Sequence, residues 1–328
     1  METSTYDPYL SAEARDFCFA YLDSLAATQW PGPAEERKAP TSFGSTFVRV
    51  SGPPAAPPVL LLHGAASTSL MWAPNVEALS KNYRVFAVDQ IGEFGKSLCL
   101  KPVASFDHLL AWLDELLTAL ELPAGVSLVG VSYGGALAVQ YALHFPHRLR
   151  AIVPLAPANT VLRVKAEFWA RLLMVTFARR WGLRSFLRWI FADMQRQNPE
   201  WVDAVFDQLL VNMQNLQRRR PVIPPVLTDA EWRSLTVPTL FLMGDRDVIY
   251  SARKAVRRLK QVAPQVTAEI VPGAGHDFTV AHAAAVNQRI LQFLDNAFVG
   301  QAVQPAADCQ SACRAEPARS VTRKLNFP

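Results

Sequence analysis

Cysteine is scarce in this sequence. Cys18, Cys99, Cys309 and Cys313 are the four among 328 residues, and their spacing fits neither a disulfide framework nor a zinc site. The pair Cys309-x-x-x-Cys313 has no histidine nearby and reads as two free thiols, which fits a reducing, cytoplasmic setting. Charge is also sparse: 19% of residues are Asp, Glu, Lys or Arg, against 50% hydrophobic, a composition that supports a sizeable core. Long hydrophobic runs are missing. The nearest, residues 126–143, is only mildly apolar, so neither a membrane span nor a membrane partner is expected. The N-terminus, Met1-Glu2-Thr3-Ser4-Thr5-Tyr6-Asp7, has no basic start and no apolar core, and no secretory signal is expected. The net charge of +5 comes from scattered basic residues, so no nucleic-acid partner is expected. The tight cluster Arg218-Arg219-Arg220 precedes a proline-rich loop and reads as a solvated face.

The length fits one large domain, or one domain with an insertion. Residues 8–30 carry Phe17, Tyr21, Leu22 and Leu25 at helical spacing and stop at Trp30-Pro31-Gly32-Pro33. Residues 41–50 read as a small hairpin turning at Gly44-Ser45. Short apolar runs at 59–62, 84–88, 126–131 and 151–155 fit strands covered on both faces. Among them, Leu109, Trp112, Leu113, Leu116, Leu117 and Leu120 repeat as on one face of a helix. Strands alternating with helices point to a parallel sheet with helices on both faces.

The pattern changes after Pro157. Val161, Val164, Phe168, Leu172 and Val175 form one helical stripe, and Gly182 interrupts. Leu183, Phe186, Leu187, Ile190, Phe191 and Met194 form a second. Asn198-Pro199 opens a third with Val202, Val205, Leu209, Met213 and Leu216. Thr228-x-x-Glu231 is the pattern of a capping box. The sheet pattern resumes at 239–243 and 268–271, with helices at 252–262 and 283–295. The expected organisation is therefore an N-terminal helical extension (1–40), the first part of an α/β core (41–157), an inserted helical cap (158–232), the second part of the core (233–297) and a disordered tail (298–328).

One motif organises the chain. Gly130-Val131-Ser132-Tyr133-Gly134 sits between an apolar run and a helix-like run from Ala136 that stops at Pro146. G-x-S-x-G between a strand and a helix is a nucleophile elbow. A serine hydroxyl needs a neutral imidazole to take its proton and a carboxylate to orient that imidazole. Asp247 lies just past a strand in Gly244-Asp245-Arg246-Asp247, and His276 lies past the next, in Gly273-Ala274-Gly275-His276. The order Ser132, Asp247, His276 is that of a serine triad on an open α/β sheet. Asp245 competes with Asp247 for the acid role. Backbone N–H groups of Tyr133 and Ala65 are the expected oxyanion hole, with His63 shaping the Ala65 loop. This chemistry requires no cofactor, and no set of residues reads as a metal site.

These residues resemble the α/β-hydrolase superfamily over roughly residues 41–295. The chain is more closely similar to the bacterial carboxylesterase NP (naproxen esterase) group. That likeness rests on Met71-Trp72-Ala73-Pro74-Asn75, on Val88-Asp89-Gln90-Ile91-Gly92-Glu93 with Lys96-Ser97, and on Asp247-Val248-Ile249-Tyr250. The resemblance implies the α/β-hydrolase fold, a mostly parallel, doubly wound sheet with an inserted helical cap. It also implies a hydrolase of small-molecule carboxylic esters. It favours Asp247 over Asp245, since the group's acid precedes Val-Ile-Tyr, and the residues before Thr41 fit the group's N-terminal extension. Phe168, Trp169, Phe186 and Trp189 are candidates to line an acyl pocket, against the alternative of packing inside the cap. The same triad also serves lactone, carbon–carbon and acyl-transfer chemistry, and the fold also carries non-catalytic binding proteins.

Overall fold

The computed structural model describes residues 6–217 and 221–302. Arg218, Arg219 and Arg220, and residues 303–328 with Cys309 and Cys313, lie outside the described residues, as does most of the tail expected to be disordered.

The described residues build a nine-stranded sheet. Its strands are β1 (Glu35–Thr41), β2 (Gly44–Ser51), β3 (Pro58–Leu62), β4 (Arg84–Val88), β5 (Leu98–Cys99), β6 (Val126–Val131), β7 (Leu149–Leu155), β8 (Leu240–Gly244) and β9 (Thr267–Val271). The spatial order is β1-β2-β4-β3-β6-β7-β8-β9, with β5 on β2. From β4 to β9 every pairing is parallel, while β1, β2 and β5 are antiparallel additions at one side. From β3 the chain goes to β4 on one side; from β6 it goes to β7 on the other. The order therefore reverses between β3 and β6, and the loops leaving their carboxyl ends diverge around a crevice. Those two strands pair in register, Leu62 opposite Gly130.

Helices α1 (Ala12–Gln29), α2 (Ala73–Leu79), α3 (Phe106–Ala119) and α4 (Tyr133–His144) precede the cap. Ser105 caps α3 by accepting the His108 N–H, and the helix buries Leu109, Leu110, Trp112, Leu113, Leu116 and Leu117. The Trp112 Nε1–H donates to Thr46 Oγ1 at 2.8 Å, so the largest side chain of this face is buried without an orphaned donor. The cap consists of α5 (Ala166–Ile190), α6 (Ala192–Gln197) and α7 (Pro199–Asn215). Asn198 caps α7 with Pro199 in its first turn. The Thr228–Glu231 capping box is complete at α8 (Asp229–Ser234). The chain then adds α9 (Ala252–Val262), α10 (Phe278–Ala281) and α11 (Ala283–Ala302). Helices α3 and α4 pack together, and α2 packs on α11.

Several local expectations are corrected. The hairpin turns at Ser42-Phe43 rather than Gly44-Ser45, because Gly44 already pairs with Thr41. Strand β1 starts at Glu35, so the sheet reaches into residues expected to form the helical extension. On α1 the buried side chains are Cys18 and Leu22, while Phe17 points to solvent. Val161 and Val164 precede α5, and Val161 belongs to the main core. Helix α5 breaks at Arg179 (φ 43°, ψ −118°), not at Gly182. Helix α4 begins at Tyr133, immediately after the serine, and α11 runs past residue 298 to Ala302.

The junction of β6 and α4 shows why the turn at Ser132 needs its glycines. A Cβ on Gly130 would collide with backbone atoms of Gly134 and Gly135, and one on Gly134 with the carbonyls of Leu62 and His63. Strand, helix and neighbouring loop thus approach to backbone contact. Between the two glycines Ser132 takes φ 50°, ψ −108°, a conformation that L-residues hold only under constraint. The Ser132 N–H donates to Leu155 O at 2.8 Å, and the Ser132 carbonyl accepts from Ala136 and Ala158.

A reciprocal latch seats the cap. Asp193 of α6 is buried, and its Oδ2 accepts the Gly275 N–H at 2.6 Å. Its Oδ1 accepts from Arg246 at 3.1 Å and from Arg196. In return, Asp277 Oδ2 accepts the Met194 N–H at 2.7 Å. That N–H is one of the first-turn donors of α6, which have no partner within the helix. Each side supplies a carboxylate to the other's free backbone donor.

Two stability predictions follow from these contacts. Gly134→Ala should cost about 1–3 kcal/mol by overpacking against rigid backbone, read as a lower urea midpoint with an unchanged slope. Asp193→Ala removes charge-assisted bonds to a buried N–H and should cost about 1.5–3 kcal/mol in the same measurement; an unchanged midpoint would refute the latch.

Candidate active site

The loop after β8 turns at Asp247, whose N–H returns to Gly244 O. The Asp247 carboxylate is held from two sides. Its Oδ1 accepts the Ile249 N–H at 2.9 Å, and its Oδ2 lies 2.9 Å from His276 Nδ1. Both side chains are buried. With the Nδ1 proton donated to Asp247, the Nε2 lone pair of neutral His276 is left free to accept a proton. Asp245, the competing acid, is exposed and accepts the Ala274 N–H at 3.2 Å; it fixes the loop leading to His276 rather than the imidazole.

Burial alone would push the His276 imidazolium down. The charge and hydrogen bond of Asp247, with Asp277 adding to them, more than offset this, so His276 titrates above the ordinary histidine value. Asp277 is itself raised, first by burial and also by the nearby Asp193 charge, against the lowering effect of its bond from Met194. The latch of the cap is thus electrostatically coupled to the imidazole.

The loop after β3 carries His63, Gly64 and Ala65. His63 is buried, and its Nε2 accepts the Gln90 N–H at 2.9 Å. The ring proton is therefore on Nδ1, 2.7 Å from Gly64 O. This fixes the loop and leaves His63 without the free lone pair a base requires. The N–H groups on either side of Ala65 are engaged, Gly64 with Met71 Sδ at 3.3 Å and Ala66 with Glu93 Oε2 at 2.7 Å. Ala65 and Ser132 line the same space.

Two cavities meet at Ser132, of about 280 and 270 Å³. They share Ala65, Ala66, Ser132, Phe168 and Leu172. The first adds Tyr133, Asn159, Val164, Trp169 and Ile249; the second adds Met71, Phe186, Leu187, His276, Asp277 and Val280. Of the expected pocket residues, Phe168, Trp169 and Phe186 line these spaces. Trp189 lines neither: its ring packs against Phe168, Phe186 and the Arg171 guanidinium, inside the cap. The sequence reading missed the segment from Pro221 to Pro224, which walls the first cavity. Its proline-rich character marked a loop, not its position against the cavity. Asp193 was missed too, since a lone aspartate in a cap helix carries no motif. Among the described residues no group of three or more His, Cys, Asp or Glu is placed to hold a metal ion.

Comparison with known proteins identifies the family and the fold. The model of the alpha/beta hydrolase family matches residues 59–289. Carboxylesterase YbfK of Bacillus subtilis (strain 168) is 33% identical over 288 residues, covering 85% of this chain and 93% of that protein. A second protein of that organism, named uncharacterized carboxylesterase nap, is 32% identical over 290 residues, covering 88% and 95%. The crystal structure of naproxen esterase (carboxylesterase NP) from Bacillus subtilis superimposes with a TM-score of 0.79 at 32% identity, over 88% of this chain and 100% of that one. A meta-cleavage product hydrolase, CumD, at 21% identity and a TM-score of 0.66, shares the fold. With its switch-point crevice, glycine-framed serine and helical insertion, the chain belongs to the alpha/beta hydrolase family.

Proposed function

We propose that this protein is a serine carboxylesterase working through an acyl-enzyme. The observation that carries the reading is the buried His276–Asp247 pair at 2.9 Å, on a cavity shared with the strained elbow serine, Ser132. Ser132 Oγ attacks the ester carbonyl carbon while His276 Nε2 takes its proton. The tetrahedral oxyanion is received by the N–H groups of Ala65 and Tyr133, each worth about 2.7–4 kcal/mol in the transition state. His276 then returns the proton to the leaving alkoxide. Water attacks the acyl-enzyme by the same steps in reverse, and free Ser132 is regenerated. Asp247 holds the imidazole tautomer and stabilises the imidazolium.

The two cavities bear on substrate. The alkoxide must leave beside His276, so the alcohol portion occupies the cavity that His276 lines. The acyl portion occupies the one beside Tyr133, Asn159 and Ile249. Both are lined mainly by apolar side chains, which fits an ester with an apolar group on each side of the carbonyl. The carboxylesterase names of relatives that share a third of their residues over nearly their whole length support the same class.

A fluorophosphonate probe should label wild type stoichiometrically at Ser132, fail with Ser132→Ala and label His276→Ala poorly. Robust ester turnover by purified Ser132→Ala would overturn the assignment. The pH profile gives a separate check. Protonated His276 has no lone pair to offer, so kcat/KM should climb as pH rises through its raised pKa, with a midpoint above the ordinary value of about 6.5. In Asp247→Asn, burial is no longer opposed by that charge. The midpoint should move down and kcat should fall by about 10⁴; an unmoved midpoint would contradict the role given to Asp247.

A further inference from the structure

Helix α5 is a hairpin. The Phe168 ring meets Phe186 at 5.5 Å and Trp189 at 6.5 Å. Gly182 lies so near the backbone of Met174 and Val175 that a Cβ would collide with it. The two limbs are therefore antiparallel, with the bend at Arg179 as their tip. That tip reads Phe177-Ala178-Arg179-Arg180-Trp181. Phe177 is 79% exposed and Trp181 66% exposed. Trp169, Leu173 and Phe177 recur at i, i+4 and i+8, and all three are exposed, as are Leu172 and Met174. Trp169 and Leu172 line the first cavity. A continuous apolar stripe thus leads from the cavity rim to the hairpin tip, the kind of exposed patch that marks an interaction surface.

Charge selects the occupant. Helix α5 carries five arginines (Arg171, Arg179, Arg180, Arg184 and Arg188) and one acid, Glu167. Glu167 pairs with Arg171, and Arg184 pairs with Asp203. Among the described residues, Arg179, Arg180 and Arg188 have no acidic partner. A second copy docking tip to tip would set like charges against each other. An anionic lipid surface offers the opposite arrangement: phosphates for the guanidinium groups, and an acyl boundary for Phe177 and Trp181.

We infer that the α5 tip docks this protein peripherally on an anionic lipid surface, setting the cavity rim at Trp169 and Leu172 toward the membrane. No helix among the described residues is long and apolar enough to cross a membrane, and none is required. The expectation of no membrane partner rested on missing long apolar runs, and a five-residue tip leaves no such signal. The inference stands apart from the ester reading, since its test measures binding alone.

The test is flotation of the full chain with vesicles of phosphatidylcholine alone and with phosphatidylglycerol added in equal part. Wild type should float with the anionic vesicles only and be released by salt. Phe177→Ser with Trp181→Ser should weaken binding at least about tenfold. Arg179→Gln with Arg180→Gln should weaken it roughly 25-fold. All four positions are exposed, and the one contact to the fold that the charge variant gives up is the distant Arg180–Phe206 cation–π contact at 6.0 Å, so urea midpoints should stay close to wild type and separate lost binding from lost fold. Failure of wild type to float, or undiminished binding by both variants, would overturn the inference. So would a dimer in sedimentation velocity that Phe177→Ser with Trp181→Ser abolishes while vesicles remain unbound; that result would assign the stripe to a second copy.

Discussion

The backbone crossing at Gly130 and Gly134 is the constraint on which the site depends. Strand β6 and helix α4 meet without side chains between them, and α4 presses equally close to the loop leaving β3. Two consequences follow from that one contact. Ser132 is held at a strained turn, outside the regular geometry of both strand and helix. The loop carrying Ala65 is brought beside it, so the proposed nucleophile and oxyanion donors are set by packed backbone and would need no reorganisation when charge develops. The cost of the strain is met by the surrounding sheet, whose central strands are fully buried.

Electrostatics completes the site from the far end of the sheet. Asp247 and His276 come from loops after β8 and β9, and their side chains meet at 2.9 Å in a buried setting. Burial disfavours the imidazolium, and the carboxylate restores it. The latch extends this chain outward. Asp193 holds the backbone N–H of Gly275, the residue before His276, while Asp277, the residue after it, accepts the Met194 N–H in the first turn of α6. Seating the cap and positioning His276 are therefore one set of hydrogen bonds.

The cap follows other rules. Its inner aromatic side chains divide between cavity lining and mutual packing, and Trp189 shows that helical spacing alone does not separate the two. Its outer surface keeps aromatic side chains in solvent, an arrangement that burial energetics does not favour in a free helix. An outward apolar stripe flanked by arginines makes sense as a surface for contact, and its continuity with the cavity rim joins docking to access.

The sequence by itself determined the alternation of strands and helices, the strand–turn–helix at Ser132, the order of the three expected triad residues and the capping of α7 and α8. Each is a local matter. Apolar runs, glycines two residues either side of a serine and an Asn-Pro or Thr-x-x-Glu start act within a few residues of chain. Only the tertiary structure decided which of two nearby aspartates meets His276, because Asp245 and Asp247 share a loop and differ in the direction it turns. It also decided the bend at Arg179, the seating of Asp193 against Gly275 and the wall built by the segment from Pro221 to Pro224. These depend on pairs of groups far apart in sequence, whose proximity follows from the packing of whole elements and leaves no periodic trace in the chain.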